Sequence, residues 1–197
     1  MGARAIIRRS LGALAALLVA ACGGAQLRPS ASPVDSATTQ TGARVGCSPH
    51  PGAEVQCLTV AVRAAAGPEV AGWAPADFQT RYELPSSTKG IGAIVAIVEA
   101  YDNPNVASDL GEYRAQFGLG TAEFAKYNQR GQKKNYPAGN TGWGVDIDLE
   151  AEMVSATCPL CTIYLVEADS AYASDLEAAE VEAVKLGAHI VSNGWGC

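Results

Sequence analysis

The run from Ile91 to Ala100 constrains the fold of this chain more than any other segment. It is nearly continuous in apolar side chains and rich in Ile and Val. Strands that are buried on both faces have this composition, and they occur in parallel sheets covered by helices. The residues after Ala100 alternate between helical and extended patterns with short links. The sequence therefore predicts an α/β fold with a doubly wound parallel sheet and right-handed crossovers.

Turn residues and periodicity predict the elements that follow this strand. Asn103 and Pro104 supply a cap and a first-turn proline for a helix that runs to Phe117. The later expected elements are a polar loop over 118–142, a helix over 144–157, a strand over 162–168, a helix over 171–186 and a strand over 188–193. The basic side chains of the loop are expected to be solvated rather than bound to an anion; they are Lys126, Arg130, Lys133 and Lys134.

The N-terminal part reads as an export signal followed by a linker. Three arginines precede an apolar run, Leu11 to Ala21, that is too short to span a bilayer. Small residues directly precede Cys22. This sequence pattern resembles a bacterial lipobox, in which the signal peptide is cut before a lipid-bearing cysteine. The alternative is an ordinary secretory signal with a chance cysteine. We expect an exported protein, either a cell-envelope lipoprotein or a secreted one, that meets the membrane through its lipid anchor only.

Composition then divides the chain into segments. Residues 1–21 are the predicted signal peptide, and 22–46, dominated by Ser, Thr, Pro and Ala, are a predicted flexible tether. Residues 47–86 form a short cysteine-containing lead-in, and 87–197 hold the α/β pattern. Of all residues 48% are hydrophobic, which is enough for one domain with a real core.

Charge and histidine content exclude several functions. The formal charge is −6 at pH 7, so the chain lacks the basic surface that phosphate backbones require, and nucleic acid is not an expected partner. Two histidines cannot build an all-histidine metal site. We expect no metal and no cofactor in these 197 residues.

Six cysteines leave several arrangements open. With Cys22 lipidated, Cys47 and Cys57 are expected to close a short loop, and Cys158 can pair with Cys161 in an oxidising compartment. Zinc binding by these two pairs is the alternative, and a redox role for Cys158-Pro-Leu-Cys161 is another. A structural disulfide is favoured over a redox role, because the motif lies at the C-terminus of a predicted helix, whereas a helix N-terminus is what lowers the pKa of a thiol. Cys197 is left without an assigned partner.

The predicted helix over 144–157 carries four acids in two pairs. Asp146 and Glu150 share one face, while Asp148 and Glu152 lie about 200° around the helix axis. Like charges at this spacing destabilise a helix unless something uses them. One interpretation is that all four acids are exposed to solvent and have no specific role. The other is a proton-sharing pair in which one carboxyl has a raised pKa and serves as a base in acid.

Motifs along residues 70–197 occur in a recognisable order. They are Ala74-Pro-Ala-Asp77-Phe, Tyr82-Glu-Leu-Pro85, Val95-Ala-Ile-Val-Glu99-Ala-Tyr-Asp102-Asn-Pro-Asn105, Trp143…Asp146-x-x-x-Glu150-x-Glu152-Met-Val-Ser-Ala…Cys158-Pro159, Ile163-Tyr-Leu-Val-Glu-Ala168 and Ile190-Val-Ser192-Asn-Gly-Trp195-Gly196. Together they resemble the sedolisin, or serine-carboxyl peptidase, family. The resemblance implies a subtilisin-like fold that is incomplete at its C-terminal side.

The resemblance also implies roles for individual residues. In sedolisins two carboxyls one helical turn apart activate a serine nucleophile, and such enzymes cut peptides in acid. By position, Asp146 is the expected base next to the serine, and Glu150 is the carboxyl that orients it. The substrate-binding residues implied at the following strand end are Ser192, Gly194, Trp195 and Gly196, which are expected to pair with peptide backbone.

Two features of the sequence limit the activity expected of it. The family order of Glu then Asp is swapped, so the expected base is shorter by one methylene, about 1.5 Å. The 197 residues contain no Gly-Thr-Ser nucleophile segment, and the family's calcium loop is expected beyond Cys197 as well. The sequence predicts the N-terminal fragment of an exported sedolisin-like endopeptidase, inactive as given. A non-catalytic surface lipoprotein that binds peptides or a partner protein is the alternative.

Overall fold

The computed structural model describes residues 43–45, 55–62 and 72–196. In chain order its elements are β1 (Ala43–Val45), β2 (Gln56–Cys57), β3 (Val60–Val62), α1 (Pro75–Arg81), β4 (Ile94–Ala100), α2 (Val106–Phe117), β5 (Glu123–Asn128), α3 (Thr141–Thr157), β6 (Thr162–Ala168), α4 (Ala173–Lys185), β7 (Ile190–Ser192) and β8 (Trp195–Gly196).

A four-stranded parallel sheet organises residues 87–196. Its strand order is β5-β6-β4-β7, and each neighbouring pair is parallel. Helices α2 and α3 cover one face, where Ile97 and Leu165 contact Leu110 and Ile147. Helix α4 covers the other face. The predicted α/β class, with helices on both faces of a parallel sheet, is confirmed.

Alternation along the strands decides which side chains meet α3. Ile97 and Glu99 of β4 project to the α2–α3 face, and so do Leu165 and Glu167 of β6. Ala96 and Val98 project to the α4 face, which is packed by small side chains of that helix. A carboxyl near the end of β4 is therefore carried directly to helix α3.

The strand β5 lies inside the segment that the sequence predicts as a polar loop. It is an edge strand of the sheet, and it carries Glu123 and Lys126. Edge strands tolerate such residues because one side of the strand is not covered by a neighbour. The prediction of a solvated Lys126 is wrong: its side chain is 14% exposed, and its ammonium pairs with Asp102 and lies 3.4 Å from Glu167.

Several predicted element starts are displaced, and α3, α4 and β7 begin at Thr141, Ala173 and Ile190 rather than at 144, 171 and 188. Ile91 is 82% exposed in a turn, and β4 begins only at Ile94. Helix α2 takes Asn105 as its N-cap, not Asn103. The Asn103 amide instead donates to the Gly144 carbonyl and to Asp148, so it joins α2 to α3.

The lead-in contributes strands of its own. β2 pairs antiparallel with β8, and β3 pairs antiparallel with β1. β1 lies at the end of the segment predicted as a tether, so at least residues 43–45 of that segment are paired. Val55, Cys57 and Thr59 are buried, whereas Gln56 and Leu58 are exposed. This period of two is that of a half-buried strand.

The predicted pairing of Cys158 with Cys161 is confirmed, and the predicted pairing of Cys57 with Cys47 stays a prediction. Cys158 and Cys161 form a disulfide at the C-terminus of α3. Cys57 is also disulfide-bonded. The predicted signal segment 1–21 and the cysteines Cys22, Cys47 and Cys197 lie outside the described residues. Within the described ranges, every helix is too short or too polar to cross a bilayer.

Candidate active site: a buried carboxyl cluster

The carboxyl ends of the central strands meet the N-terminal half of α3, and three acids converge there. In parallel α/β sheets this edge is where ligands bind. Asp146 and Glu150 come from α3, and Glu99 comes from β4. Asp146 is 1% exposed, and Glu99 is fully buried.

Asn140 is the N-cap of α3 and fixes where the helix begins. The side chain of Asn140 accepts hydrogen bonds from the backbone N–H groups of Gly142 and Trp143, at 2.9 and 3.1 Å. From this start, Ile147 and Ala151 face the sheet. Asp146 lies next to that stripe and is carried inward with it, and Glu150 follows one turn later on the same side.

Glu99 was not assigned a role from the sequence. It is an acid in a strand whose other members from Val95 to Ala100 are apolar and buried. An acid in an otherwise apolar strand marks Glu99 as a candidate site residue, because acids are almost never fully buried without a partner. The neighbouring acid is Asp146, whose charge contributes, after burial, to the raised pKa of Glu99.

Within the part of the chain that the structure describes, the three carboxyls have too few hydrogen-bond donors around them. One oxygen each of Glu99, Asp146 and Glu150 is buried with no donor from the described residues. Two facing carboxyls satisfy each other only when a proton lies between them. Burial, and then the charges of Asp146 and Glu150, raise the pKa of Glu99 well above its ordinary value.

The two helix carboxyls are shifted in the same direction. Burial raises the pKa of Asp146 to about 6. Burial and the neighbouring Asp146 charge raise the pKa of Glu150 to about 7, against a hydrogen bond with Ser192 that favours its ionised form. The cluster therefore still holds protons in mild acid, where an ordinary carboxyl has lost them.

Of the predicted substrate-binding residues, Ser192 and Gly194 lie beside this cluster, whereas Trp195 and Gly196 contact β4 and β2. The Ser192 side chain lies beside Glu150 in the cavity lining and lowers the pKa of that carboxyl, and the Gly194 N–H donates to Glu99 at 3.4 Å. The Trp195 indole donates to the Val98 carbonyl at 2.7 Å, which ties the strand end to β4. The backbone of Trp195 and Gly196 pairs with β2, so the chain's own lead-in occupies one side of this strand.

A cavity of about 270 Å³ opens beside the acids. Asp146, Glu150 and Ser192 line its polar side, and Leu149 and Met153 line its apolar side. A carboxyl pair at the wall of a partly apolar cavity can take a proton from a hydroxyl that is placed there. Among residues 43–45, 55–62 and 72–196, no group of His, Cys, Asp and Glu side chains is arranged to hold a metal ion.

The second acid pair of α3 belongs to a different surface. Asp148 bonds to the Asn103 amide at 2.7 Å. Burial and the neighbouring charge of Asp109 raise the pKa of Asp148 to about 6, and burial with the charges of Asp148 and Asp109 raises that of Glu152 to about 7. These carboxyls face α2, on the side of α3 away from the cluster.

Fold and site together define a class: a doubly wound α/β domain with a cluster of three carboxyls at the carboxyl ends of its strands. No family model and no curated protein matches the sequence. A solved structure of Pseudomonas sedolisin, a serine-carboxyl proteinase complexed with two molecules of pseudo-iodotyrostatin, is similar with a TM-score of 0.48 and 17% sequence identity. The similarity covers 61% of this chain and 35% of that one.

Proposed function

We propose that this chain is the carboxyl-bearing part of an exported, acid-acting peptidase of the serine-carboxyl type. In this proposal the ionised Asp146 accepts the proton of a serine hydroxyl. Glu150 and Glu99 stay protonated, so that Asp146 is the charged member of the cluster. The substrate is a peptide or protein. The observation that carries the proposal is the convergence of three carboxyls that each have a buried oxygen without a donor among the described residues, two of which, those of Asp146 and Glu150, line a cavity.

The raised pKa of Asp146 suits a base that works in mild acid. A carboxyl whose pKa is about 6 is matched to proton transfer in mild acid, because a general base is most effective when its pKa lies near the working pH. Glu150 keeps its proton while Asp146 is ionised, so the two carboxyls of Asp146 and Glu150 do not repel each other.

The nucleophile is the part that this sequence does not provide in the expected form. The 197 residues contain no Gly-Thr-Ser segment. Without a nucleophile the carboxyls cannot form an acyl-enzyme, so the proposal includes that the chain as given does not hydrolyse peptides. Export and a lipid anchor on Cys22 are further parts of the proposal, supported by the basic and apolar N-terminal pattern.

The test begins with the gene. Sequencing through and beyond codon 197 and translating every frame should reveal a Gly-Thr-Ser segment. Expression of the joined chain should then give hydrolysis of a fluorogenic peptide substrate in mild acid, between about pH 5 and 7, with a rate that rises as Asp146 loses its proton. Asp146→Asn and Glu150→Gln should each lower the rate on the order of a hundredfold or more. Glu177→Gln, at an exposed acid of α4, is the matched control and should leave the rate unchanged.

Two results would contradict the proposal. Absence of any Gly-Thr-Ser segment downstream would end the serine-peptidase assignment, and peptide binding by a surface lipoprotein would be the remaining function. Activity of the joined chain that survives Asp146→Asn would show that this carboxyl is not the base.

A further inference from the structure

Thr59 reaches the carboxyl cluster from a distant part of the chain. It lies 87 residues before Asp146, is 7% exposed, and donates its hydroxyl hydrogen to Oδ1 of Asp146. No periodicity of α3 indicates such a partner, and the sequence motifs around Asp146 do not include it. The contact lies at the cavity, because Thr59, Asp146 and Glu150 line the same wall.

The backbone around Thr59 is held in place from both sides. Gln56 and Cys57 pair with Gly196 and Trp195, and the N–H of Leu58 donates to the Gly194 carbonyl at 2.9 Å. Val55 and Cys57 are buried in the same core cluster as Trp143. Alternation along this strand then points Thr59 inward as well. The fold therefore holds the Thr59 hydroxyl in place next to the carboxyl cluster.

The hydroxyl acts on a cluster that cannot be fully ionised. The titratable groups that face Asp146 are Glu99 from β4 and Glu150 from its own helix. Three carboxyls this close hold fewer than three charges, so some feature must decide which of them is ionised. A hydroxyl donor stabilises the ionised form of the carboxyl that it touches. Thr59 supports charge on Asp146, Ser192 supports charge on Glu150, and the long contact from the Gly194 N–H supports charge on Glu99. Burial opposes charge on Glu99, whose pKa is raised well above its ordinary value, and the neighbouring Glu99 lowers the pKa of Asp146 against the effect of burial.

We propose that Thr59 is a positioning residue, which orients Asp146 and makes it the member of the cluster that carries the negative charge. This inference rests on the proposed function, because it names which carboxyl is ready to accept the proton of a hydroxyl. Oδ1 has a second lone pair, so the contact with Thr59 leaves that oxygen able to accept another hydrogen bond.

The test follows the carboxyl carbons of the full 197-residue chain by ¹³C NMR from about pH 3 to 9. Thr59→Val removes the hydroxyl at nearly constant shape. We expect the titration midpoint of Asp146 to rise by about one pH unit, since a hydrogen bond to a charged group has about that value. Thr59→Ser should restore the midpoint. Ser192→Ala is the matched comparison and should raise the midpoint of Glu150 instead.

The outcomes separate this inference from the proposed function. If Glu99, Asp146 and Glu150 of the wild-type chain all titrate near their ordinary values, the proposed function fails. If they titrate high but Thr59→Val leaves Asp146 unchanged, only the inference about Thr59 fails. Where the valine variant does not fold by circular dichroism, Thr59→Ala replaces it. Loss of folding in both variants would make Thr59 a structural residue and would overturn the inference.

Discussion

At the scale of single residues, Gly194 determines how closely the Glu150 carboxyl approaches the end of β7. A Cβ at Gly194 would lie 2.5 Å from Oε1 of Glu150 and 2.9 Å from its Cδ. These separations are below van der Waals contact, so any side chain at this position displaces the carboxyl. The backbone at Gly194 also contacts Glu99, so two members of the cluster depend on this one glycine.

Gly194→Ala is therefore expected to move Glu150 and to lower the free energy of unfolding by about 1–3 kcal/mol, as overpacking of a closed site does. Urea unfolding at pH 5 measures the change. Gly196→Ala is the matched control, because a Cβ there would meet the methyl carbons of Leu58 at an ordinary 3.7 Å. Equal effects of the two substitutions would show that the Glu150 carboxyl does not lie against Gly194.

At the scale of elements, Arg114 connects α2 to the loop that follows it and to the end of α3. Its side chain is 2% exposed and donates to the carbonyls of Leu119, Gly120 and Pro159 and to the hydroxyl of Ser155, at 2.6–3.0 Å. These partners lie on three segments. One guanidinium satisfies them because its donors form a planar fork.

Arg114→Lys keeps the charge but loses most of these donors. We expect it to lower the free energy of unfolding by about 2–4 kcal/mol, because buried acceptors are left without partners. Guanidinium unfolding followed by near-UV circular dichroism is the measurement. Arg81→Lys, at an exposed position of α1, should change stability by less than about 0.5 kcal/mol. A loss equally small in Arg114→Lys would contradict the described network.

The elements also show what sequence can predict. β6 has the predicted bounds, and α3 ends at the predicted residue, because both signals are local and periodic. β5 was missed because an edge strand needs no continuous apolar pattern. For the site, periodicity puts Asp146 and Glu150 on one helix face. Glu99 and Thr59 join them only through tertiary packing, which no local pattern encodes.

At the scale of the whole molecule, the sheet assembles the site from four parts of the chain. Strand β4 brings Glu99, α3 brings Asp146 and Glu150, the β7 end brings Ser192, and the lead-in brings Thr59. Glu99 and Gly194 are 95 residues apart in sequence. Burying so many acids has a consequence for stability, because the native state holds protons that the unfolded chain releases.

The sign of this effect follows from the direction of the shifts. Asp146 has a native pKa of about 6 against an ordinary 3.8, so between these values the native state binds more protons than the unfolded state. The free energy of unfolding therefore falls as pH rises from about 4 through 6. Glu150, with a pKa of about 7, extends the fall to neutral pH. These carboxyls favour folding in acid and oppose it at neutral pH.

The most direct measurement of the central claim is the free energy of unfolding at pH 4 and pH 7 for the wild-type chain and for Asp146→Asn, with Glu177→Gln as the exposed control. We predict a clear fall for the wild type and the control. The fall for Asp146→Asn should be smaller by about 2–3 kcal/mol, which is the value of a two-unit shift. Parallel pH dependences in all three proteins would contradict a buried, proton-sharing carboxyl cluster.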